Sequence, residues 1–234
     1  MNIVITGASS GIGFHTVLQL LKDEDNLVIA ISRNEDKLKR LEQEAADCDY
    51  ILRLFTLPFN IITGNYRSQL HSFISMHMKH VDVLINNAGE LFNKPFIKTE
   101  IEEIEEMLES NFLGHVRMIQ SVIPYMKYGG HIVNIGSMGG YQGSVKFPGL
   151  SAYSASKAAL HTLTECLALE LVEKEIKVNC LALGSVQTEM LQIAIPNVKT
   201  PTTPEDMGKY VAEFALTGQK YYNGKILPVA ISTP

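Results

Sequence analysis

Seven short apolar runs, rich in β-branched residues, recur along the chain with amphipathic stretches of helix length between them. They lie at 3–6, 27–32, 51–57, 81–85, 131–135, 177–181 and 225–229. Their apolarity is nearly continuous rather than alternating, as in strands buried on both faces. Strand–helix alternation of this kind closes through right-handed crossovers, so it predicts a parallel sheet with helices on both sides. No composition shift, repeat or low-complexity linker divides the chain, and one α/β domain over residues 1–234 is expected. Two helix starts are marked. Thr99 followed by Glu102 gives a capping-box pattern, and Thr203-Pro204-Glu205-Asp206 gives a second with proline in the first turn. Glu100, Glu102, Glu103, Glu105 and Glu106 interleave with Ile101, Ile104, Leu108 and Phe112. They read as the solvated face of an amphipathic helix rather than as an acidic site.

Composition excludes more than it assigns. Twenty Lys and Arg against 25 Asp and Glu leave a net charge of −5. That is no electrostatic footprint for nucleic acid or an anionic membrane surface, and neither is expected as a partner. No run approaches the ~18 apolar residues of a membrane span, and with the first strand-like run beginning at Asn2 no leader is expected. Cys48, Cys166 and Cys180 match neither a disulfide framework nor a zinc site. Free thiols in a reducing compartment, and hence a cytoplasmic location, are expected. His71, His77 and His80 cluster without an acidic or thiolate partner at matched spacing, so they read as exposed helix residues and no metal ligands are expected.

The chemistry begins where the first run ends, at Thr6-Gly7-Ala8-Ser9-Ser10-Gly11-Ile12-Gly13. Gly7 permits a tight turn out of the strand. Gly11 and Gly13 clear side chains from the start of the next helix, whose free N–H groups favour anionic oxygens such as a diphosphate. The spacing G-x-x-x-G-x-G is neither the G-x-G-x-x-G fingerprint nor a P-loop. The second strand ends Ile31-Ser32-Arg33-Asn34, with Arg33 twenty residues after Gly13 and no acid at the strand end. An acid there suits the ribose hydroxyls of NAD and an arginine suits the 2′-phosphate of NADP. NADP is therefore expected over NAD. Glu35 and Asp36 read as first-turn helix acids.

Tyr153-Ser154-Ala155-Ser156-Lys157 opens a long helical segment that places a phenol and an ammonium on one face. A neighbouring positive charge lowers a tyrosine pKa from about 10 and makes the phenol a usable acid or base. Upstream, Ser137 follows Asn134-Ile135-Gly136 at the C-terminal end of a strand, the edge where open α/β sheets bind ligands.

In these motifs the sequence resembles the classical short-chain dehydrogenase/reductase family over nearly its whole length. Besides the glycine turn, Asn86-Asn87-Ala88-Gly89 matches that family's motif beside the cofactor. Asn111 in Asn111-Phe112-Leu113-Gly114 matches its catalytic asparagine, and Ser137, Tyr153 and Lys157 complete a tetrad. The resemblance implies a Rossmann-type doubly wound sheet of seven parallel strands in the order 3-2-1-4-5-6-7. It implies hydride transfer between NADP(H) and a carbonyl or secondary alcohol. Tyr153 would move the proton and Ser137 would hold the substrate oxygen. Lys157 would bind the nicotinamide ribose and depress the Tyr153 pKa, and Asn111 would position a water linking Lys157 to solvent. Cofactor contacts are expected from Gly7, Ser9, Ser10, Gly11, Ile12, Gly13, Ser32, Arg33, Asn34, Asn60, Asn87, Ala88, Gly89, Tyr153, Lys157, Gly184, Val186 and Thr188.

The chain departs from the family pattern in several places. Leu183 stands where proline is usual, and Asn60 stands where an adenine-contacting aspartate is common. The Ser137–Tyr153 spacing is longer than usual. Pocket walls are expected from Phe92, Met138, Tyr141, Phe147, Met190, Leu191 and Ile193, with a substrate lid at about 188–203. The alternatives are a 3-oxoacyl reductase within the same chemistry, or a non-catalytic NADP-binding sensor. The largely apolar helix at 152–173 implies a homodimer or homotetramer.

Overall fold

The computed structural model describes residues 1–231, so the last three positions of the expected 1–234 domain lie outside the described residues. Seven strands form one sheet in the order β3-β2-β1-β4-β5-β6-β7, and every neighbouring pair is parallel. They are β1 (Asn2–Thr6), β2 (Leu27–Ser32), β3 (Leu54–Pro58), β4 (Val81–Asn86), β5 (Met126–Ser137), β6 (Lys177–Leu183) and β7 (Ile226–Val229). The helices are α1 (Gly11–Leu20), α2 (Glu35–Asp47), α3 (Ser72–His77), α4 (Ile101–Leu108), α5 (Gly114–Val122), α6 (Ser151–Glu170), α7 (Glu189–Ala194) and α8 (Pro204–Thr217). The sheet is the doubly wound Rossmann-type arrangement, and its order reverses between β1 and β4.

The strands are apolar at nearly every position because each face of the sheet meets a core. Ile3, Ile5, Val28, Ala30, Val83 and Ile85 pack under α1, α2 and α8. Their neighbours Val4, Ile29, Ile31 and Leu84 point to the other face, under α3, α5 and α6. A buried polar ladder crosses this second face. Asn86 Nδ2 donates to Asn134 Oδ1 at 3.0 Å, Asn134 Nδ2 to Thr164 Oγ1 at 2.9 Å, and Thr164 Oγ1 to the Leu160 carbonyl at 2.9 Å. It fixes the position of α6, which carries Tyr153 and Lys157, over β4 and β5.

Local details differ from what the sequence pattern predicts. Residues 51–53 form a short 3₁₀ turn, so the third strand starts at Leu54, after the first apolar residues of the run. The fifth strand runs from Met126, beyond a register irregularity between Val81 and Val83 on its neighbour. The cap of α4 falls one residue later than the pattern predicts. Glu100 is the N-cap and its N–H donates to Glu103 at 2.9 Å, while Thr99 Oγ1 donates back to the Pro95 carbonyl. Ile101 on that helix stays 61% exposed, so its apolar stripe is only partly covered. The second cap matches its pattern, with Thr203 Oγ1 accepting from Asp206 N–H at 3.1 Å. The three clustered histidines are half-buried and separate. His77 stacks on Phe55, His71 tilts against Tyr125 and His80 faces Asp82.

At the order reversal, Thr6 Oγ1 accepts from two backbone donors, Asn87 N–H at 3.0 Å and Ala88 N–H at 3.1 Å. A buried donor left without an acceptor costs about 1–3 kcal/mol. Thr6→Val keeps the shape and removes the acceptor. It is expected to lower unfolding free energy by about 1–3 kcal/mol in urea titration with an unchanged m-value.

Candidate active site

The glycine turn is shaped by what lies behind it. Gly7 has φ +65°, and a Cβ there would fall 2.7 Å from the Ala88 Cα. A Cβ on Gly13 would fall 2.3 Å from the Gly7 carbonyl oxygen. Asn87 Nδ2 donates to the Thr6 and Gly7 carbonyls at 3.1 and 3.0 Å. Ser10, the N-cap of α1, is extended and exposed, and its hydroxyl makes no bond to the helix. Gly7, Ser9, Ser10, Gly11 and Ile12 face the cleft beyond the sheet. Gly13 is not among the lining residues; it packs behind the turn against Gly7. The side chain of Asn87 likewise clamps the turn, although the residue lines the cleft.

At the end of β2, Ser32 Oγ and Ser9 Oγ are 2.7 Å apart, tying that strand to the glycine turn. Asn34 caps α2 by accepting from Lys37 N–H at 2.8 Å, which ties its side chain to the helix start. Glu35 and Asp36 do occupy the first turn of α2. Asn60 Oδ1 accepts from Ile62 N–H at 2.8 Å and still faces the cleft with a second lone pair. Arg33 pairs with Glu90, Nη1 to Oε1 at 2.5 Å. Sequence reasoning misses Glu90, and its place directly after Gly89 is the one signal that points to it.

The four tetrad candidates share this cleft. Asn111 lies in a π turn between α4 and α5 and is buried. Its Oδ1 accepts from Glu90 N–H at 2.8 Å, and its Nδ2 donates to the Glu90 carbonyl at 2.9 Å and to Ser156 Oγ at 3.1 Å. The amide therefore holds the Glu90 backbone. A Cβ on Gly89 would lie 2.8 Å from Asn111 Oδ1 and 3.5 Å from Lys157 Nζ, so the missing side chain leaves space between them. Ser137 ends β5 and caps the turn Met138–Gly140, accepting from Gly139 N–H at 3.1 Å. His115 is a second residue that no motif marks. It is buried behind the Asn87-Ala88-Gly89 segment, its Nε2 is 2.6 Å from the Ala88 carbonyl, and burial pulls its pKa to about 3.

The electrostatics correct one expectation. Burial raises the Tyr153 phenol above its usual value, with Ser137 pulling it partly back. Burial lowers Lys157 to about 8, and its Nζ donates to the Ile135 carbonyl at 2.8 Å. Desolvation penalises phenolate and ammonium alike, and for Tyr153 it outweighs the opposing hydrogen bond from Ser137. Burial thus shifts Tyr153 in the direction opposite to the depression expected from the sequence.

The cleft measures about 1480 Å³, against roughly 300–1,000 Å³ for common small-molecule pockets, which is room for a dinucleotide and a substrate together. Gly184, Val186 and Thr188 line it, as do Phe92, Met138, Phe147, Met190, Leu191 and Ile193. Tyr141 does not; it turns toward His161, with ring centroids 6.5 Å apart. The segment 188–203 contains α7, capped by Thr188 Oγ1 accepting from Leu191 N–H at 3.2 Å. Glu189 of α7 reaches Lys37 of α2 at 2.8 Å. The glycine turn along the cleft, the open start of α1 and the size of the cleft fit a nicotinamide dinucleotide. No described helix is long and apolar enough to cross a membrane.

Residues 1–198 match a family model described as short chain dehydrogenase. An uncharacterized oxidoreductase of Staphylococcus aureus (strain N315) is 29% identical over 222 residues, covering 94% of this chain and 92% of the relative. The solved structure described as ElxO with NADP bound superposes with a TM-score of 0.83 at 27% identity, covering 98% of this chain and 96% of that one. A 3-ketoacyl-(acyl-carrier-protein) reductase from Brucella melitensis, complexed with NADH, shares the fold with a TM-score of 0.84 at 22% identity, over 98% and 96% of the two chains.

The direction of the Tyr153 shift can be measured. In the cofactor-free protein, ultraviolet difference titration of wild type against Tyr153→Phe is expected to place ionisation of this phenol above pH 10. Ionisation below that value would show that Lys157 outweighs burial.

Proposed function

The chain belongs to the short-chain dehydrogenase family of oxidoreductases, and from that premise we propose that it interconverts a carbonyl and a secondary alcohol using NADP(H). The observation that carries this reading is the gathering of Asn111, Ser137, Tyr153 and Lys157 in one cleft with the glycine turn. The cofactor, when bound, supplies or accepts the hydride. Ser10, Gly11 and Ile12 at the start of α1 would hold the diphosphate. Arg33 and Asn60 would meet the adenosine end, and Ala88 and Gly89 would border the ribose. Gly184, Val186 and Thr188 would face the nicotinamide.

The chain's own residues then handle the substrate oxygen. Ser137 Oγ donates to it and fixes the carbonyl beside the phenol. Tyr153 gives its proton in reduction and takes it back in oxidation. The raised pKa of the free protein suits reduction, since it keeps the proton on the phenol at neutral pH. Lys157 steadies the developing phenolate when protonated, and Asn111 holds the Glu90 backbone beside the site. Leu183 begins the turn toward the nicotinamide in place of the proline usual in the family. The apolar wall, with α7 at its rim as a lid over 188–203, supports an apolar substrate; a 3-oxoacyl group is the narrower reading. The intact tetrad speaks against a non-catalytic sensor.

We also read the chain as a homodimer or homotetramer. Leu169 is 77% exposed on α6 and Ile101 is 61% exposed on α4, apolar surface that a two-fold axis could cover. Light scattering at micromolar concentration is expected to give twice or four times the 25.9 kDa chain mass. A monomer would refute this.

Tyr153→Phe is expected to cut turnover of a carbonyl panel with NADPH by at least about 100-fold, while NADPH binding persists. Retention of more than about a tenth of the rate would remove Tyr153 from the proton-transfer role.

A further inference from the structure

The adenosine end of the cleft is electrostatically closed in a way the motif does not reveal. Among the described residues, the basic side chains lining the cleft are Arg33, Lys37 and Lys157. Lys157 is buried beside the tetrad. Each of the other two is already paired. Arg33 meets Glu90 at 2.5 Å and Lys37 meets Glu189 at 2.8 Å. Two positive and two negative charges cancel, so a dianionic group arriving at the end of β2 finds no unpaired cation.

The two pairs are unequal. Lys37 and Glu189 join on exposed ends, 42% and 65% accessible, where solvent screens the attraction. Glu90 is 24% accessible beside an Arg33 that is 62% accessible, and what sets this pair apart is that the Glu90 backbone is held on both sides by Asn111. Its carboxylate is tethered within a side chain's length of Arg33. An anion that reaches the Arg33 guanidinium also comes close to Glu90.

We propose that Glu90 is a specificity-determining residue, a resident counter-anion on Arg33 that opposes the 2′-phosphate of NADP(H) and narrows the preference Arg33 would otherwise give. This rests on the reading of Arg33 as the 2′-phosphate site. Arg33 exchanges a carboxylate for a phosphate when NADP(H) binds, and the displaced carboxylate stays nearby as a like charge. NADH carries hydroxyls there and meets no such repulsion. Neutralising Glu90 therefore acts on NADPH and not on NADH, and the effect shrinks with salt.

The test is direct titration of NADPH and NADH, by nucleotide fluorescence or calorimetry, into wild type, Glu90→Gln, Glu189→Gln, Arg33→Ala and the double variant Arg33→Ala with Glu90→Gln. Glu90→Gln is expected to tighten NADPH by at least about fivefold and to move NADH by less than about twofold. Glu189→Gln is expected to change NADPH by less than about twofold. Arg33→Ala is expected to remove most of the preference, and in that background Glu90→Gln should recover only part of its gain. NADPH binding that is unchanged or weaker in Glu90→Gln, or an equal gain for both nucleotides, overturns the proposal. If wild type binds both equally and Arg33→Ala alters neither, the reading of Arg33 fails and the proposal falls with it. That pattern is distinct from a preference abolished by Arg33→Ala but insensitive to Glu90. Thermal unfolding checks each variant, and Glu90→Ala repeats the measurement if Glu90→Gln does not fold.

Discussion

The site depends on a clasp of four hydrogen bonds at the point where the sheet reverses its order. Thr6 Oγ1 takes the Asn87 and Ala88 N–H groups, and Asn87 Nδ2 returns to the Thr6 and Gly7 carbonyls. Parallel strands end with their last backbone groups unpaired, and at β1 and β4 these ends pair with each other instead of with water. The glycine turn and the Asn87-Ala88-Gly89 segment thereby become one piece. From there the fixing continues by contact. Gly89 leads to Glu90, whose backbone is gripped by Asn111. Asn111 reaches Ser156, and Ser156 Oγ donates to the Tyr153 carbonyl at 2.8 Å. The phosphate cradle and the tyrosine are linked through groups that are mostly buried and mutually satisfied.

Rigidity of this kind decides the electrostatics. A tyrosine and a lysine on one helix face suggest mutual stabilisation of their charges, but that inference holds where solvent or a counter-charge supports them. On α6 Lys157 is buried and Tyr153 is half-buried, and desolvation pushes the phenol up and the ammonium down to about 8. The pair is thus close to a neutral tyrosine beside a lysine that titrates near physiological pH. A phenol raised by burial keeps its proton at neutrality, which is the form a general acid for reduction needs.

Much of this is legible in the chain. The seven runs predict the sheet because a short segment that is apolar at every position suits a strand covered on both faces, and the two cores cover the central strands in this way, while the runs at 51–57 and 225–229 are only partly covered. The tetrad and the glycine turn are legible because each needs particular residue types at fixed spacing. What escapes the sequence shares a physical reason. Gly13 and Asn87 matter for packing behind the turn, and contacts between segments far apart in the chain leave no local pattern. The cap at Glu100 rather than Thr99 is settled by a competing bond from Thr99 to Pro95. Tyr141 and Phe147 are both aromatic loop residues, yet only Phe147 reaches the cleft. The Tyr153 shift follows burial, which spacing does not encode.

Glu90 shows how one residue can join two problems. Its backbone N–H and carbonyl are both spent on Asn111, so the tetrad end of the cleft depends on its main chain. Its side chain lies against Arg33, so the adenosine end depends on its charge. The two roles are separable, because an amide or a methyl at the side chain leaves the backbone bonds in place. Charge there can vary while the catalytic geometry is kept, and cofactor choice can be adjusted without rebuilding the site. Asn111, in contrast, has no such freedom, since its carbonyl oxygen and amide group are both engaged.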